Sequence, residues 1–491
     1  MRRSAVVLLA LLALPASAAA APVVVLGHDG RASHRNDPYV RGPALTPAPA
    51  QTPAAAAVAA GAPFTSALTR ARRHAPERTV RSELARLLAS HAITSAQYGQ
   101  YSASFNRALA AERHLSGTRR AELTAVTETL HQIALAREFI PSRLPALFLT
   151  LDRNRQWWTS GPLLSGGQRV EFAGSQLVWE YYPGQGIQIQ VLGSFGKANG
   201  LKEAGPATYG AMQQLLSELI PLAVQRGGGI AWEYYFPFDG GRPPWTSAMS
   251  QATGLQALSR AYLATKDPSY LQVAASALPL FSAPPPAGVQ VRTALGTRYL
   301  QYTFAPTVSI INAFLQTLIG LDTYAQVSGN PTAAQLFAAG NAEAQAEVPT
   351  FDTGAWSLYQ PGLEDDLSYH ELVTGFLAQL CTMTKIPVYC TTAQHFQAYL
   401  QIAPALTQLT GRARTGHAFP LRFRLSKVSR VGITLTSGTT TTFLTSASFP
   451  YGTQTFTVPA LRRPGTYGVR LTATDLAGNY AAVNGTLQVT R

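Results

Sequence analysis

The sequence predicts a multidomain α and β protein: an α/α toroid-type helical domain, preceded by a helical arm and a small β-sheet domain, with a β-sandwich at the C-terminal end. Three observations carry this. The 491 residues exceed the roughly 100–200 of an ordinary domain, so two or three folding units are expected. Helices stop and restart at Lys266-Asp267-Pro268, Gly329-Asn330-Pro331 and Lys385-Ile386-Pro387, 63 and 56 residues apart. Proline is favoured in a first helical turn, so each restart marks the short loop of an antiparallel helix pair. Pairs repeated at such a period close into a toroid or stack as a solenoid, with functional residues in the loops at one end. Finally, the chain from about Leu421 alternates apolar and polar residues between frequent turns, the pattern of a β-sandwich.

Taken in order, residues 1–21 read as a secretory signal: Met1-Arg2-Arg3, an apolar run from Ala5 to Leu14, then Pro15-Ala16-Ser17-Ala18. Its apolar run of about 10 residues is shorter than the roughly 20 needed to cross a bilayer, and no later segment is apolar enough, so a secreted protein without a transmembrane segment is expected. Residues 22–65 are rich in Ala and Pro and read as a flexible leader. Residues 66–155 form the helical arm, with Leu84, Leu87, Leu88, Leu109, Leu123, Val126, Leu130 and Ile133 at helical spacing and a break at Ser116-Gly117. Residues 156–240 read as β-rich, from the runs Arg169–Phe172, Gln176–Tyr182, Ile187–Val191 and Ile230–Phe236. Residues 241–411 form the repeated helical domain. Residues 412–491 form a basic module in which Tyr467, the Val469-Arg470-Leu471 alternation and Asp475-Leu-Ala-Gly-Asn479 resemble the Tyr-bearing strand and turn of immunoglobulin-like bacterial modules.

Composition narrows the function. Charged residues are 13% of the chain against about 25% in typical proteins, and 20 Tyr with 20 Phe exclude disorder. Cys381 and Cys390 are too few for a disulfide framework or a four-ligand zinc site, and no His-Glu-x-x-His occurs, so no metal is expected. The two cysteines flank a proline-started turn, where a disulfide and two small buried side chains are both open readings. Of the formal charge of +14, the last 80 residues hold +9, from ten Lys or Arg against the single acid Asp475. That asymmetry points to an anionic surface such as a cell envelope as the module's partner, and nucleic acid is not expected. Neither a P-loop nor a Gly-x-Ser-x-Gly elbow is present.

The informative strings are Pro244-Trp-Thr-Ser-Ala-Met-Ser-Gln251, Ala261-Tyr-Leu-Ala-Thr-Lys-Asp267, Ile311-Asn-Ala-Phe-Leu-Gln-Thr-Leu-Ile-Gly-Leu321, Phe351-Asp-Thr-Gly354 and Ser368-Tyr-His370. In content, order and spacing the chain over about residues 230–400 resembles the catalytic region of the D-glucuronyl C5-epimerase family. The resemblance implies inversion at C5 of D-glucuronic acid units in an anionic, uronate-containing polysaccharide, giving L-iduronic acid without a dissociable cofactor. The C5 proton lies α to a carboxylate, so one group must remove it and another deliver one to the opposite face while an enolate-like intermediate is stabilised. The family's tyrosines fall on Tyr302, Tyr359 and Tyr369, and its glutamate position holds Gln301; an arginine expected shortly after Tyr359 is replaced by Gln360-Pro361-Gly362.

A tyrosinate needs nearby cations or donors, since the ordinary phenol pKa is near 10. Arg242 and Arg298 are the candidates for this or for holding the substrate carboxylate. Asn312 and His370 belong to the matching strings, and Tyr182, Trp232, Tyr235 and Trp245 offer sugar-stacking faces. Glu233, Asp239 and the run Glu364-Asp365-Asp366 are the carboxylates able to stand in for the one lost at Gln301. Two further functions remain open from the sequence: a polysaccharide lyase that follows the same proton abstraction with loss of the C4 substituent, and a catalytically silent glycan-binding protein.

Overall fold

The computed structural model describes residues 21–39 and 79–491. The signal reading, the leader from residue 40 onward and residues 66–78 of the arm lie outside the described residues, apart from Ala21. Residues 22–39 do not form a flexible leader. The strands β1 (Ala21–Leu26) and β2 (Ala32–Asp37) make an antiparallel hairpin, and β1 also pairs in parallel with β3 (Arg169–Phe172). The β-branched run Val23-Val24-Val25 suits a pleated, buried surface, and this short signal is outweighed in the sequence by the Ala and Pro around it. β4 (Trp179–Tyr182) and β5 (Gly186–Ile189) complete a sheet of order β2-β1-β3-β4-β5.

The arm consists of α1 (Val80–Ala89), α2 (Ser95–His114) and α3 (Gly117–Leu135), with breaks at Ser90–Thr94 and at the expected Ser116-Gly117. Thr79 and Thr94 cap α1 and α2 through reciprocal capping boxes. The helices pack with α4 (Leu144–Ser160) into the same apolar core as the sheet, so they are part of the body of the protein. Trp157 and Trp158 lie in the last turn of α4, not at the start of a β-rich region. That region is interrupted again: after β5 come α5 (Val191–Glu203) and α6 (Tyr209–Leu219), then a small hairpin of β6 (Val224–Arg226) and β7 (Gly229–Ala231). Gly193, Gly196 and Gly200 weaken the helical signal of α5, whereas Met212, Leu215, Leu216 and Leu219 recur at helical spacing in α6.

The three restarts are built alike. α7 (Ala248–Thr265) ends on Lys266 and is followed by α8 (Ser269–Ala277); α9 (Ile311–Ser328) ends on Gly329 before α10 (Pro331–Glu347); α11 (Leu367–Thr384) ends on Lys385 before α12 (Pro387–Tyr399). All three C-caps are left-handed, with φ of 61°, 67° and 59°. Each reversal lays the second helix against the first. Cys381 and Cys390 bridge the last pair as a disulfide. α7 packs on α5 and α9, and α9 on α11. The α7–α9 approach depends on Gly320, where a Cβ would lie 2.1 Å from the Ala252 carbonyl oxygen. Two short hairpins project from the helices: β8 (Gln290–Arg292) with β9 (Thr297–Tyr299), and β10 (Leu358–Gln360) with β11 (Leu363–Glu364).

The C-terminal region is sheet-rich. β12 (Leu406–Gln408), β14 (Phe419–Leu425) and β17 (Gly452–Val458) form one sheet; β13 (Arg412–Arg414), β19 (Tyr480–Thr490), β18 (Gly465–Asp475), β15 (Ser429–Ser437) and β16 (Thr440–Phe449) form another. Alternate residues such as Leu421, Phe423, Ile433 and Leu471 enter a core separate from that of the rest. Strand β16 carries no clear sequence signal, because its Thr and Ser run lies on a largely exposed edge.

Candidate active site

Four helices and four strand or loop segments line a cavity of about 220 Å³. Helical periodicity sets its walls: Gly193, Gly196, Asn199 and Gly200 from α5; Met249, Thr253, Gln256 and Arg260 from α7; Asn312 and Gln316 from α9; Tyr369, Leu372, Phe376 and Gln379 from α11. Arg169 of β3, Gln190 after β5, Gln301 and Tyr359 of β10 complete the lining. Of the sequence-derived candidates, Tyr359, Tyr369, Gln301 and Asn312 meet here.

Tyr359 and Tyr369 face each other with ring centroids 4.9 Å apart. Behind them Tyr302 is seated among Phe238, Trp245 and Phe304, its ring stacked on Phe304 at 5.2 Å. Burial is the main cause that pushes the Tyr302 and Tyr359 phenols above the ordinary range, so both are neutral at rest. The finer effects separate them. Tyr302 is favoured toward its anion by hydrogen bonds from Gln301 and Tyr359, whereas the bond to Tyr302 holds the proton on Tyr359. The two hydroxyls are thus hydrogen-bonding neighbours. Gln301 is oriented to donate, because its Oε1 accepts from the Ser247 hydroxyl at 3.2 Å and leaves the amide N–H groups for Tyr302.

Arg169 is the site residue the sequence does not reveal. It is 8% exposed, and its Nη1 is buried with no hydrogen-bond partner among the described residues. Gly193 makes room for it, since a Cβ there would lie 2.6 Å from Nη1. The Nε side is anchored by Glu180 at 3.0 Å. Burial pushes the Glu180 carboxyl up to about 7, against the opposing pull of Arg169. Asn312 Oδ1 is likewise buried without a partner among the described residues. Two orphaned polar atoms at one cavity are unusual in a native protein and mark groups kept for a ligand. A lone Arg in a strand pattern gives no such signal.

The other candidates are engaged elsewhere. Glu233 is buried between Arg143 and Arg226, at 2.7 and 2.5 Å, which removes it as a substitute base. Arg298 pairs with Glu347 at 2.9 Å on α10 and does not line the cavity. Arg242 and Asp239 are exposed, and neither lines the cavity. Trp232 and Trp245 are core residues, their indole N–H groups bound by the carbonyls of Leu219 and Phe236. Tyr235 is buried beside Glu233. Tyr182 stacks on Phe236 at 4.6 Å, and its hydroxyl accepts from the cavity residue Gln190. These aromatics are packed and not a stacking surface; alternation in a strand does not tell a covered face from an open one. His370 is fully buried, stacked on Trp356 at 3.7 Å and bonded to Ser357 and the Phe396 carbonyl; burial lowers it to about 4. It supports the site from behind. The acidic run is also occupied: Glu364 accepts from Val428 and Tyr451, Asp365 from Ser357, and Asp366 caps α11.

Residues 226–398 match the family described as D-glucuronyl C5-epimerase C-terminus. A D-glucuronyl C5-epimerase of Caenorhabditis elegans is 29% identical over 178 residues, covering 32% of this chain and 29% of that protein. An uncharacterized protein of Methanocaldococcus jannaschii is 28% identical over 137 residues, covering 26% of this chain and 44% of that one. The chain thus spans less than half the length of these relatives. Among solved structures, an alpha-mannanase from Bacteroides thetaiotaomicron aligns at 12% identity and TM-score 0.31, over 44% of this chain and 62% of its own. A cellobiose 2-epimerase from Bacillus thermoamylovorans aligns at 10% identity and TM-score 0.33, over 58% and 75%. The sequence matches mark residues 226–398 as an epimerase-like region. Over residues 226–398 the chain is thus similar to the D-glucuronyl C5-epimerase C-terminus. No helix among the described residues is long and apolar enough to cross a membrane.

Proposed function

We propose that this protein is a secreted polysaccharide epimerase that inverts C5 of D-glucuronic acid units, with Tyr359 and Tyr369 as the groups that move the proton. The observation that carries the reading is the meeting of Tyr359, Tyr369 and Gln301 with the orphaned Arg169 at one cavity. Arg169 takes the uronate carboxylate through its unoccupied Nη1. This neutralises the group into which the C5 electron pair must spread. Tyr302 is neutral at rest, and the reaction runs through the small fraction in which it is ionised, with Gln301 and Tyr359 beside the phenolate oxygen. As the C5–H bond breaks, Tyr359 accepts that proton and passes its own to Tyr302. The electron pair moves into the carboxylate to give an enediolate. Tyr369 then delivers its hydroxyl proton to C5 from the other side, and exchange with solvent resets the phenols. The loss of a carboxylate at position 301 is, on this reading, a change of base from glutamate to tyrosinate.

We further read the helix pairs as an α/α toroid-type scaffold and the C-terminal sheets as an immunoglobulin-like sandwich whose basic surface meets an anionic envelope. Incubation with uronate-rich polysaccharides tests the function. The expected product is L-iduronate by NMR with no rise in ultraviolet absorbance, abolished by Tyr369→Phe. An unsaturated, absorbing product makes the protein a lyase, and binding without conversion makes it a glycan-binding protein.

A further inference from the structure

The C-terminal region is joined to the rest of the protein by a buried charge beside Trp356, three residues before Tyr359. Lys427, in the turn between β14 and β15, is 1% exposed. An ammonium group carries three N–H donors, and here each has a partner: Asp475 at 2.6 Å, the Tyr399 carbonyl at 2.7 Å and the Ile402 carbonyl at 2.5 Å. The same nitrogen lies 5.2 Å from the ring centroid of Trp356. Trp356 stacks on His370 and donates its indole N–H to the Asp365 carbonyl at 2.9 Å. Ser357 bridges the two sides of this brace, donating to Asp365 Oδ2 at 2.5 Å and lying 2.7 Å from His370 Nδ1. Ser357 stands two residues before Tyr359 and His370 one after Tyr369, so the brace ties β10 to the first turn of α11.

A second attachment reaches the same hairpin. The Glu364 carboxylate, on β11, accepts the backbone N–H of Val428 and of Tyr451, each at 2.8 Å, one on each oxygen. A tethered spacer would need no buried, fully satisfied lysine at its joint, because burying a charge is costly unless every partner is in place.

We propose that the C-terminal module is a positioning element of the active site, with Lys427 and Glu364 as two latches that hold β10–β11 and the start of α11 so that Tyr359 and Tyr369 face each other. The proposal rests on the proton-transfer reading of the cavity. Two variants test it. Glu364→Gln removes one of two acceptors, and Lys427→Met with Asp475→Asn removes both buried charges together, so that neither is left unpaired. The readouts are amide hydrogen exchange of residues 356–371, with α7 and α9 as internal references, and kcat and KM measured separately on a uronan. The expected result is exchange at 356–371 faster by about tenfold or more, unchanged protection in α7 and α9, and kcat lower by about tenfold to a hundredfold with KM within about twofold, as small misplacements of catalytic groups produce. Unchanged protection at 356–371, or lost protection with kcat intact, overturns the proposal. If the double variant loses protection throughout, the milder Glu364→Gln decides. If the wild type turns over no uronan, the proton-transfer reading fails on its own, and the exchange arm still judges the latch: selective loss at 356–371 supports it and unchanged protection overturns it.

Discussion

Gln301→Glu restores the carboxylate that the family resemblance places at this position, and the structure predicts that it harms this protein. Gln301 favours the Tyr302 anion through its amide, while Ser247 donates to its carbonyl oxygen at 3.2 Å. A glutamate there replaces the donor with a negative charge one hydrogen bond away. At about 4 Å and an effective dielectric of ~20, two unit charges repel by about 4 kcal/mol. At 1.36 kcal/mol per tenfold, that is roughly a thousandfold smaller Tyr302 phenolate fraction. The lost hydrogen bond adds about 1 kcal/mol. Burial will raise the new carboxyl and soften the effect near neutral pH. The expected loss in kcat is therefore about a hundredfold or more at pH 8, smaller at pH 6, with KM little changed. Single-turnover proton exchange at C5 measures it, and circular dichroism checks that the fold is kept. A Gln301→Glu protein as fast as wild type or faster would refute the tyrosinate relay and make a carboxylate the better base in this cavity.

Further outcomes follow from other parts of the structure. Gly193→Ala brings a Cβ to 2.6 Å from Arg169 Nη1, so the guanidinium must move and KM for a uronan should rise about tenfold or more while a carboxyl-reduced polymer binds as before; equal effects on both polymers contradict the carboxylate role. Glu233→Gln leaves Arg143 and Arg226 without their buried counter-charge and should cost about 3–5 kcal/mol in denaturant unfolding. The raised Glu180 carboxyl binds a proton in the folded state between its ordinary value and about 7, so it lowers stability as pH rises through that window. Glu180→Gln should flatten the stability profile between about pH 4.5 and 7, and an unchanged slope would assign it to other groups.

What the sequence exposes and what it conceals divide along physical lines. The helix reversals at Lys266, Gly329 and Lys385 are legible because a left-handed cap followed by proline leaves a local mark. Tyr359, Tyr369, Gln301 and Asn312 are legible through the family resemblance, which identifies positions but not their surroundings. The hairpin β1–β2 is hidden in an Ala and Pro background, and its partner β3 lies more than 130 residues away. Trp232, Glu233 and Trp245 look ligand-facing in the sequence because exposure is set by what covers a strand, and the covering helices come from distant parts of the chain. Arg169 is silent for the same reason. Its role depends on the missing Cβ of Gly193 and the anchoring carboxylate of Glu180, and neither relation has a fixed spacing.

The most direct test of the central claim is C5 exchange in heavy water. With a uronate-rich polysaccharide, the wild-type protein should incorporate deuterium at C5 of uronic acid units, seen by NMR, and Tyr359→Phe and Tyr369→Phe should each abolish net inversion while still binding the polymer. Absence of exchange with every uronan that the wild type binds would contradict proton transfer in this cavity, and inversion at the wild-type rate in either phenylalanine variant would remove that tyrosine from the chemistry.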